Sequence, residues 1–502
     1  MRSDVVVIGG GASGLMAAFF AARTLVDAGV DAQVTVLEKM PRPARKVMIT
    51  GKGRCNFTNL KDWNAFSAHV RSKPNFVKSA FYHLPSQGVV DWFEGFGMPT
   101  VVERGDRAFP ASHRASDVVD TLVRACHAYG VKIETEAEVA DISLQEEPAA
   151  VPPENCATLG YPVKTCFSGG PTLGIIRGGT AKRWGPKDVF RGQQPQGFLV
   201  RLVDGREWQC RRVVVATGGL SYPTTGSTGD GLRWAAALGH KMVPTFPSLT
   251  ALVPKGYKVQ EDKDLHIDRS TPLSELGEKL CGVSLKNVQL SLQIEGTETD
   301  SEFGDVDFTD GGLEGPVGFQ LSRKAVKALV NGSRAALLLD LKPGVDLTEL
   351  TVRIKQLWAE IEKDPRSRGV REKERCRILL GKLMPRELIP GFTAMHPEII
   401  TQERRSRTET KVWVNLVSIA KALKTWKFDI AGFVGYERAV VTAGGVSTDD
   451  FVSKTMESRL VPGLYLCGEV LDIDADTGGY NLQLAFSTGA LAGESAARSL
   501  LK

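Results

Sequence analysis

Val5 to Ile8 is an unbroken β-branched run, and together with Asp4 it predicts a parallel strand buried on both faces. Helical composition follows from Ser13 to about Ala28. Residues Gln33 to Leu37 (QVTVL) then predict a second strand, which completes a strand–helix–strand unit of about 35 residues. The same alternation recurs with a helix over Val118 to Tyr129, a strand over Val131 to Ile133 and a strand over Val213 to Ala216. From about Phe246 to Leu341 the period changes. Val288 to Ile294 alternates apolar and polar residues and Ala335 to Leu341 is a short, nearly all-apolar run, which predict antiparallel sheet or barrel strands. Residues 347 to about 390 turn helical and charged, and an α/β pattern resumes near Val440, with a strand over Gly463 to Cys467 and a helix over Ala485 to Leu500. The expected fold class is therefore α/β, interrupted by a β-plus-helix insert. Residues 146 to 192 are rich in glycine and proline and follow no period, which predicts an irregular surface insertion.

Composition narrows the class without naming a function. The 502 residues are 42% apolar and 24% charged, ordinary values for a globular chain that exclude a disordered or collagen-like one. A net charge of +5 does not by itself call for a nucleic-acid partner. The eight cysteines are scattered, with no CxxC pair and no histidine cluster at zinc-ligand spacing, which predicts no metal site and a reducing cytoplasm. Residues 5 to 22 carry no charge and mimic a membrane span, but their four glycines and the weak flanking charge favour a buried strand and helix. Glycine is in excess, 52 residues or about 10% where about 7% is usual.

Much of that excess sits in motifs. Gly9-Gly10-Gly11-Ala12-Ser13-Gly14 fits G-x-G-x-x-G between a predicted strand and helix, and Glu38 ends the next strand. The first glycine permits the tight turn, the second lets the backbone approach a pyrophosphate, and the third lets the helix pack on the strand. The helix amides then face the phosphates, and the acid is placed to accept from a ribose. The fingerprint does not separate FAD from NAD. Ala216-Thr217-Gly218-Gly219 closes another apolar strand, and Gly468-Glu469 closes a third ahead of Thr477 to Gln483. A Gly-Glu strand end suits a ribityl hydroxyl. A helix opening near Asn481 would aim its positive end at a flavin ring.

Thr50 to Asn59 (TGKGRCNFTN), Ser221 to Gly231 (SYPTTGSTGDG), Phe308 to Pro316 (FTDGGLEGP), Thr442 to Val446 (TAGGV) and Gly468 through Gln483 resemble the bacterial YhiN/BaiN-like FAD-dependent oxidoreductases, over most of the chain and in the same order. The resemblance implies a two-part Rossmann-like FAD-binding domain (residues 1–245 and 438–502). A β-barrel domain (246–345 and 409–437) interrupts it and itself carries a helical subdomain (346–408). It implies non-covalent FAD, with the polar loop Arg54, Cys55 and Asn56 against it. The cofactor-binding set expected from fingerprint and resemblance is Gly9, Gly11, Ala12, Ser13, Gly14, Glu38, Lys39, Gly53, Arg54, Cys55, Asn56, Val139, Ala216, Thr217, Gly218, Gly468, Glu469, Gly479, Tyr480, Asn481 and Leu482. Family members include bile-acid Δ4,6-reductases and aminoacetone-oxidase-like proteins, so the cofactor is better defined than the substrate.

Tyr222 and Tyr480 are candidate proton donors and Cys55 a candidate reactive thiol. For each, a structural role is the competing reading. With a single dinucleotide fingerprint, NAD(P)H is expected as a transient electron donor. The expected activity is hydride transfer between flavin and a small organic substrate, reducing an activated C=C bond. An oxygen-using amine oxidase is the alternative. A flavin-containing RNA-binding or RNA-modifying protein is a second alternative, raised by Lys363 to Arg386, which holds nine Lys or Arg against three acids. That run has little aromatic interleaving and reads as a solvated helical face.

Overall fold

The computed structural model describes residues 1–145, 197–259, 264–404 and 410–502, so the insertion expected at 146–192 lies outside the described residues. The first strand, Arg2–Ile8, is flanked by parallel strands on both sides, Val34–Leu37 and Glu207–Val215. Its Val5, Val6 and Val7 are completely buried, as an all-apolar strand between two covered faces requires. Lys132–Glu134 extends the sheet beyond Val34–Leu37. On the other side, Glu207–Val215 pairs antiparallel with Gly197–Leu202 through its first half and parallel with Leu464–Leu466 through its second. The C-terminal segment thus returns to the sheet in which the chain begins. This is the expected α/β class, a Rossmann-type sheet made from two parts of the sequence.

The helix after the first strand, Ala12–Asp27, and the C-terminal helix, Gly478–Arg498, pack backbone to backbone. A Cβ on Gly493 would stand 1.9 Å from the Ala17 carbonyl oxygen, and one on Gly489 would stand 2.3 Å from that of Ser13. The C-terminal helix begins seven residues before the expected Ala485. Low glycine propensity hid its first turn, which needs glycine because a Cβ at Gly479 would meet the Asn56 amide at 2.4 Å.

The chain leaves the sheet and returns to it along one antiparallel pair, Met242–Ser248 with Val441–Val446. Between them, six strands close a barrel in the order Leu252–Pro254, Gly312–Glu314, Thr297–Thr309, Ser284–Ile294, Ala335–Asp340, Trp426–Phe433. Helices Leu347–Lys363, Glu372–Leu383 and Ile389–Met395 are inserted before the last barrel strand. Sheet and barrel keep separate hydrophobic cores, the second including Phe308, Trp426 and Phe428. The sequence pattern did not reveal the antiparallel strands Thr100–Glu103 and Arg107–Pro110, which are short and carry four charged residues between their ends. Among the described residues no helix is long and apolar enough to cross a membrane; the uncharged run 5–22 divides into strand, turn and helix.

Candidate active site

A cavity of about 1130 Å³ runs from the first strand–helix turn to the barrel wall. This exceeds the roughly 300–1,000 Å³ of an ordinary small-molecule site, leaving room for a second molecule beside a dinucleotide. At one end, Gly9 takes φ +102°, and a Cβ there would lie 2.5 Å from the Ala216 carbonyl oxygen. At Gly14 a Cβ would come within 1.8 Å of the Gly9 carbonyl oxygen. Gly11 is the opposite case, with no protein atom within 4 Å of its would-be Cβ. It faces the cavity, and the helix that it caps has neither a side-chain cap nor an acid in its first turn. A bare helix N-terminus beside an open glycine fits a pyrophosphate.

Glu38 lies on the same wall, buried. Its Oε2 accepts from the Gly10 amide at 2.7 Å and its Oε1 from the Met40 amide at 2.8 Å. Burial pushes its carboxyl up, against those hydrogen bonds and the charges of Lys39 and Arg45. A desolvated carboxylate that keeps spare lone pairs fits a ribose diol. Lys39 also lines the cavity but is tied to Asp230 at 2.7 Å. Ala12, Ser13, Val139, Ala216, Thr217, Gly218, Gly468 and Leu482 of the expected set also line the cavity.

Glu469 lines the cavity where first and last segments meet. Lys46 Nζ donates to its Oε2 at 2.7 Å and to Ser221 Oγ at 2.5 Å; its Oε1 accepts from Ser221 Oγ at 2.6 Å and from the Thr442 amide at 2.9 Å. Burial alone would raise the Glu469 carboxyl, but the Lys46 charge and these hydrogen bonds outweigh it and hold the group below its usual range. Asn481 lines the cavity too, although its amide donates to the Ala475 and Thr477 carbonyls at 2.8 Å each. Asn56 sits against Gly479, and both reach the cavity.

Four expected residues do not line it: Gly14, Gly53, Cys55 and Tyr480. Gly14 acts behind the turn through the close approach given above. Cys55 has no exposed surface, and burial pushes its thiol up to about 12, so it carries no thiolate near neutrality. Tyr480 is buried and stacks on His69 with centroids 4.4 Å apart; burial raises its phenol strongly. Arg54 does reach the cavity, but its guanidinium contacts Glu103, donates to His113 Nδ1 at 3.0 Å and lies 4.7 Å from the Phe109 centroid. It therefore stands with the Thr100–Pro110 strands.

The barrel end is polar. Tyr222, with φ 52°, lines the cavity, anchored by its amide to the Tyr436 carbonyl at 2.8 Å. Burial raises its phenol, the Glu314 carboxylate adds to the rise, and Arg438 and Arg269 oppose it. Arg438 spans Asp310 at 2.6 Å and Glu314 at 2.7 Å, while Arg269 meets Asp310 at 2.9 Å. Cys281 also faces the cavity. Sequence reasoning missed Lys46, Arg107, Phe109, Cys281 and Arg438; only the Phe308 to Pro316 motif pointed toward Asp310 and Glu314. Among the described residues no group of three His, Cys, Asp or Glu could hold a metal ion.

A two-part Rossmann sheet, a bare glycine turn and an acid at the next strand end define the class: this is a Rossmann flavoprotein oxidoreductase. Residues 3–159 and 187–495 match the family model described as the HI0933-like protein Rossmann domain, and the chain belongs to that FAD-binding family. It is 28% identical over 491 residues to a 3-dehydro-bile acid delta(4,6)-reductase of Clostridium scindens, covering 98% of each chain. It is 29% identical over 488 residues to a ribosomal RNA dihydrouridine synthase of Haemophilus influenzae, covering 97% of this chain and 96% of the relative. A protein of the same name from Escherichia coli is 26% identical over 490 residues, again 97% and 96% of the two chains.

Proposed function

We propose that this chain reduces a carbon–carbon double bond conjugated to a carbonyl, with NAD(P)H as a transient electron donor in the cytoplasm. Bound FAD would supply the two-electron step as a hydride acceptor and donor. The observation that carries the reading is one cavity lined both by the dinucleotide turn and by a polar barrel wall, with Tyr222 on that wall within electrostatic reach of the Arg438–Glu314 pair. A tyrosine phenol, ordinarily about 10 and here raised by burial, carries its proton at neutral pH, so Tyr222 serves as the acid that completes the saturated carbon. Arg438 limits that rise and is itself fixed by two carboxylates. The names of the relatives support the reaction type: a Δ4,6-reductase removes unsaturation from a bile acid, and dihydrouridine is uridine saturated across a bond conjugated to a carbonyl.

Gly11, Ala12 and Ser13 would hold the pyrophosphate, and Glu38 the ribose. Thr50 to Asn56 and the start of the C-terminal helix would flank the ring. We take residues 1–245 and 438–502 as the cofactor unit, 246–345 and 409–437 as the barrel and 346–408 as its helical subdomain. The test is an anaerobic titration of the loaded protein with NADH and NADPH, followed by a cyclic enone. Flavin bleaching by the donor and recovery by the enone is the expected result, with Tyr222→Phe lowering kcat about 100-fold. Enone that leaves the flavin reduced, while air and an amine give peroxide, makes the protein an oxidase instead.

A further inference from the structure

The cavity is lined by a pair of arginines that the reaction does not require. Asp307, Asp310 and Glu314 line it on the barrel side, where Arg438 pairs with the last two, and Arg54, Arg107 and Phe109 line it beside the Thr100–Pro110 strands. The Arg54 guanidinium lies 4.7 Å from the Phe109 centroid and that of Arg107 lies 5.8 Å from it. One carboxylate serves both: Glu103 contacts Arg54 and approaches Arg107 at 3.8 Å. The trio therefore retains a net positive charge. Arg107 donates from Nε to the Arg104 carbonyl at 3.0 Å, which fixes its plane and leaves the terminal N–H groups open. These side chains remain 45% and 50% exposed, so a ligand reaches them without first breaking a buried pair.

We propose that Arg54 and Arg107, stiffened against Phe109, form a subsite for an oxyanion carried by the substrate at a distance from its double bond. Planar guanidinium forks on an aromatic face match a carboxylate or phosphate with two parallel hydrogen bonds. On the barrel side the arginines are already engaged, Arg269 and Arg438 by Asp310 and Glu314, so the anion lodges at the Arg54–Arg107 pair and orients the substrate with its unsaturated end toward Tyr222. This subsite rests on the proposed reduction for its purpose but not for its binding chemistry. A carboxylate on a small molecule and a phosphate on RNA are the two sources of such an oxyanion.

Binding is read directly, by perturbation of the visible flavin spectrum in oxidised holoenzyme without donor, so no turnover is needed. One arm compares a steroid enone carboxylic acid with its methyl ester, and the other a short uridine-containing oligoribonucleotide with uridine. Wild type should prefer the charged member about tenfold, falling with salt. Arg107→Gln should collapse that preference, and Arg107→Lys, which keeps the charge but loses the fork, should leave a part of it. Loss in only one arm supports the subsite and identifies the source. No preference in either arm, or a preference that survives in Arg107→Gln, overturns it. Selective binding without any enone reduction keeps the subsite and overturns the reductase reading; reduction with no charge preference does the reverse.

Discussion

The two ends of the cavity are built from different materials. The sheet end is mostly backbone: a turn closed by Gly9 and Gly14, an uncapped helix N-terminus and one carboxylate held by two amides. The barrel end is mostly side chain: Tyr222, Arg438, Asp310 and Glu314, drawn from segments more than 80 residues apart, with ion pairs joining Arg438 to both acids. A backbone site tolerates one substrate geometry and shows itself as a local glycine pattern. A side-chain site is retuned by exchanging single residues, which suits a family whose relatives act on bile acid and on RNA.

The largest expected effect separates structure from contact within the backbone end. Gly14→Ala forces a Cβ into the Gly9 carbonyl and should leave almost no FAD on the purified protein. Gly11→Ala meets only open space; its apo stability should match wild type while FAD affinity, measured by fluorescence titration, falls well over tenfold. Equal loss of apo stability in both variants would erase the distinction. At the barrel end, Arg438→Met leaves the buried Glu314 without its cation and should cost about 3 kcal/mol in denaturant unfolding followed by barrel tryptophan emission.

Glu38→Gln supplies one oxygen for two amides, at Gly10 and Met40, and FAD affinity should drop about tenfold without altering the barrel transition. The smallest effect concerns pH. Burial would raise the Asp310 carboxyl, but hydrogen bonds from Arg269 and Arg438 outweigh it and hold the group low. A depressed folded value means its stabilisation is fully present above the ordinary aspartate value of about 3.9 and is lost as pH falls through the lower folded value. Barrel stability should therefore fall more steeply across the acid range in wild type than in Arg438→Met, where Asp310 keeps only Arg269, and coincident acid curves would refute this pairing.

The sheet and its motif were legible because they obey short periods: a buried β-branched run, a glycine turn, an acid at the next strand end. The closed barrel showed only as alternation, since closure depends on pairings between strands far apart, such as Leu252–Pro254 with Trp426–Phe433. Tyr222 was visible through its Ser-Tyr-Pro setting. Arg438 and Arg107 were not, because a lone arginine has no local pattern and acquires its role from partners over 100 residues away in one case and from a short unforeseen strand pair in the other. Cys55 and Tyr480 illustrate the converse: both stand in strong motifs, yet both are buried and neither lines the cavity.

The most direct test of the reductase account mixes donor-reduced holoenzyme with a cyclic enone under anaerobic conditions and follows flavin absorbance and product together. The account predicts that oxidised flavin returns with one double bond saturated per flavin, and that Tyr222→Phe slows this single turnover about 100-fold. Flavin that stays reduced until oxygen is admitted, with peroxide as the only product, would contradict it.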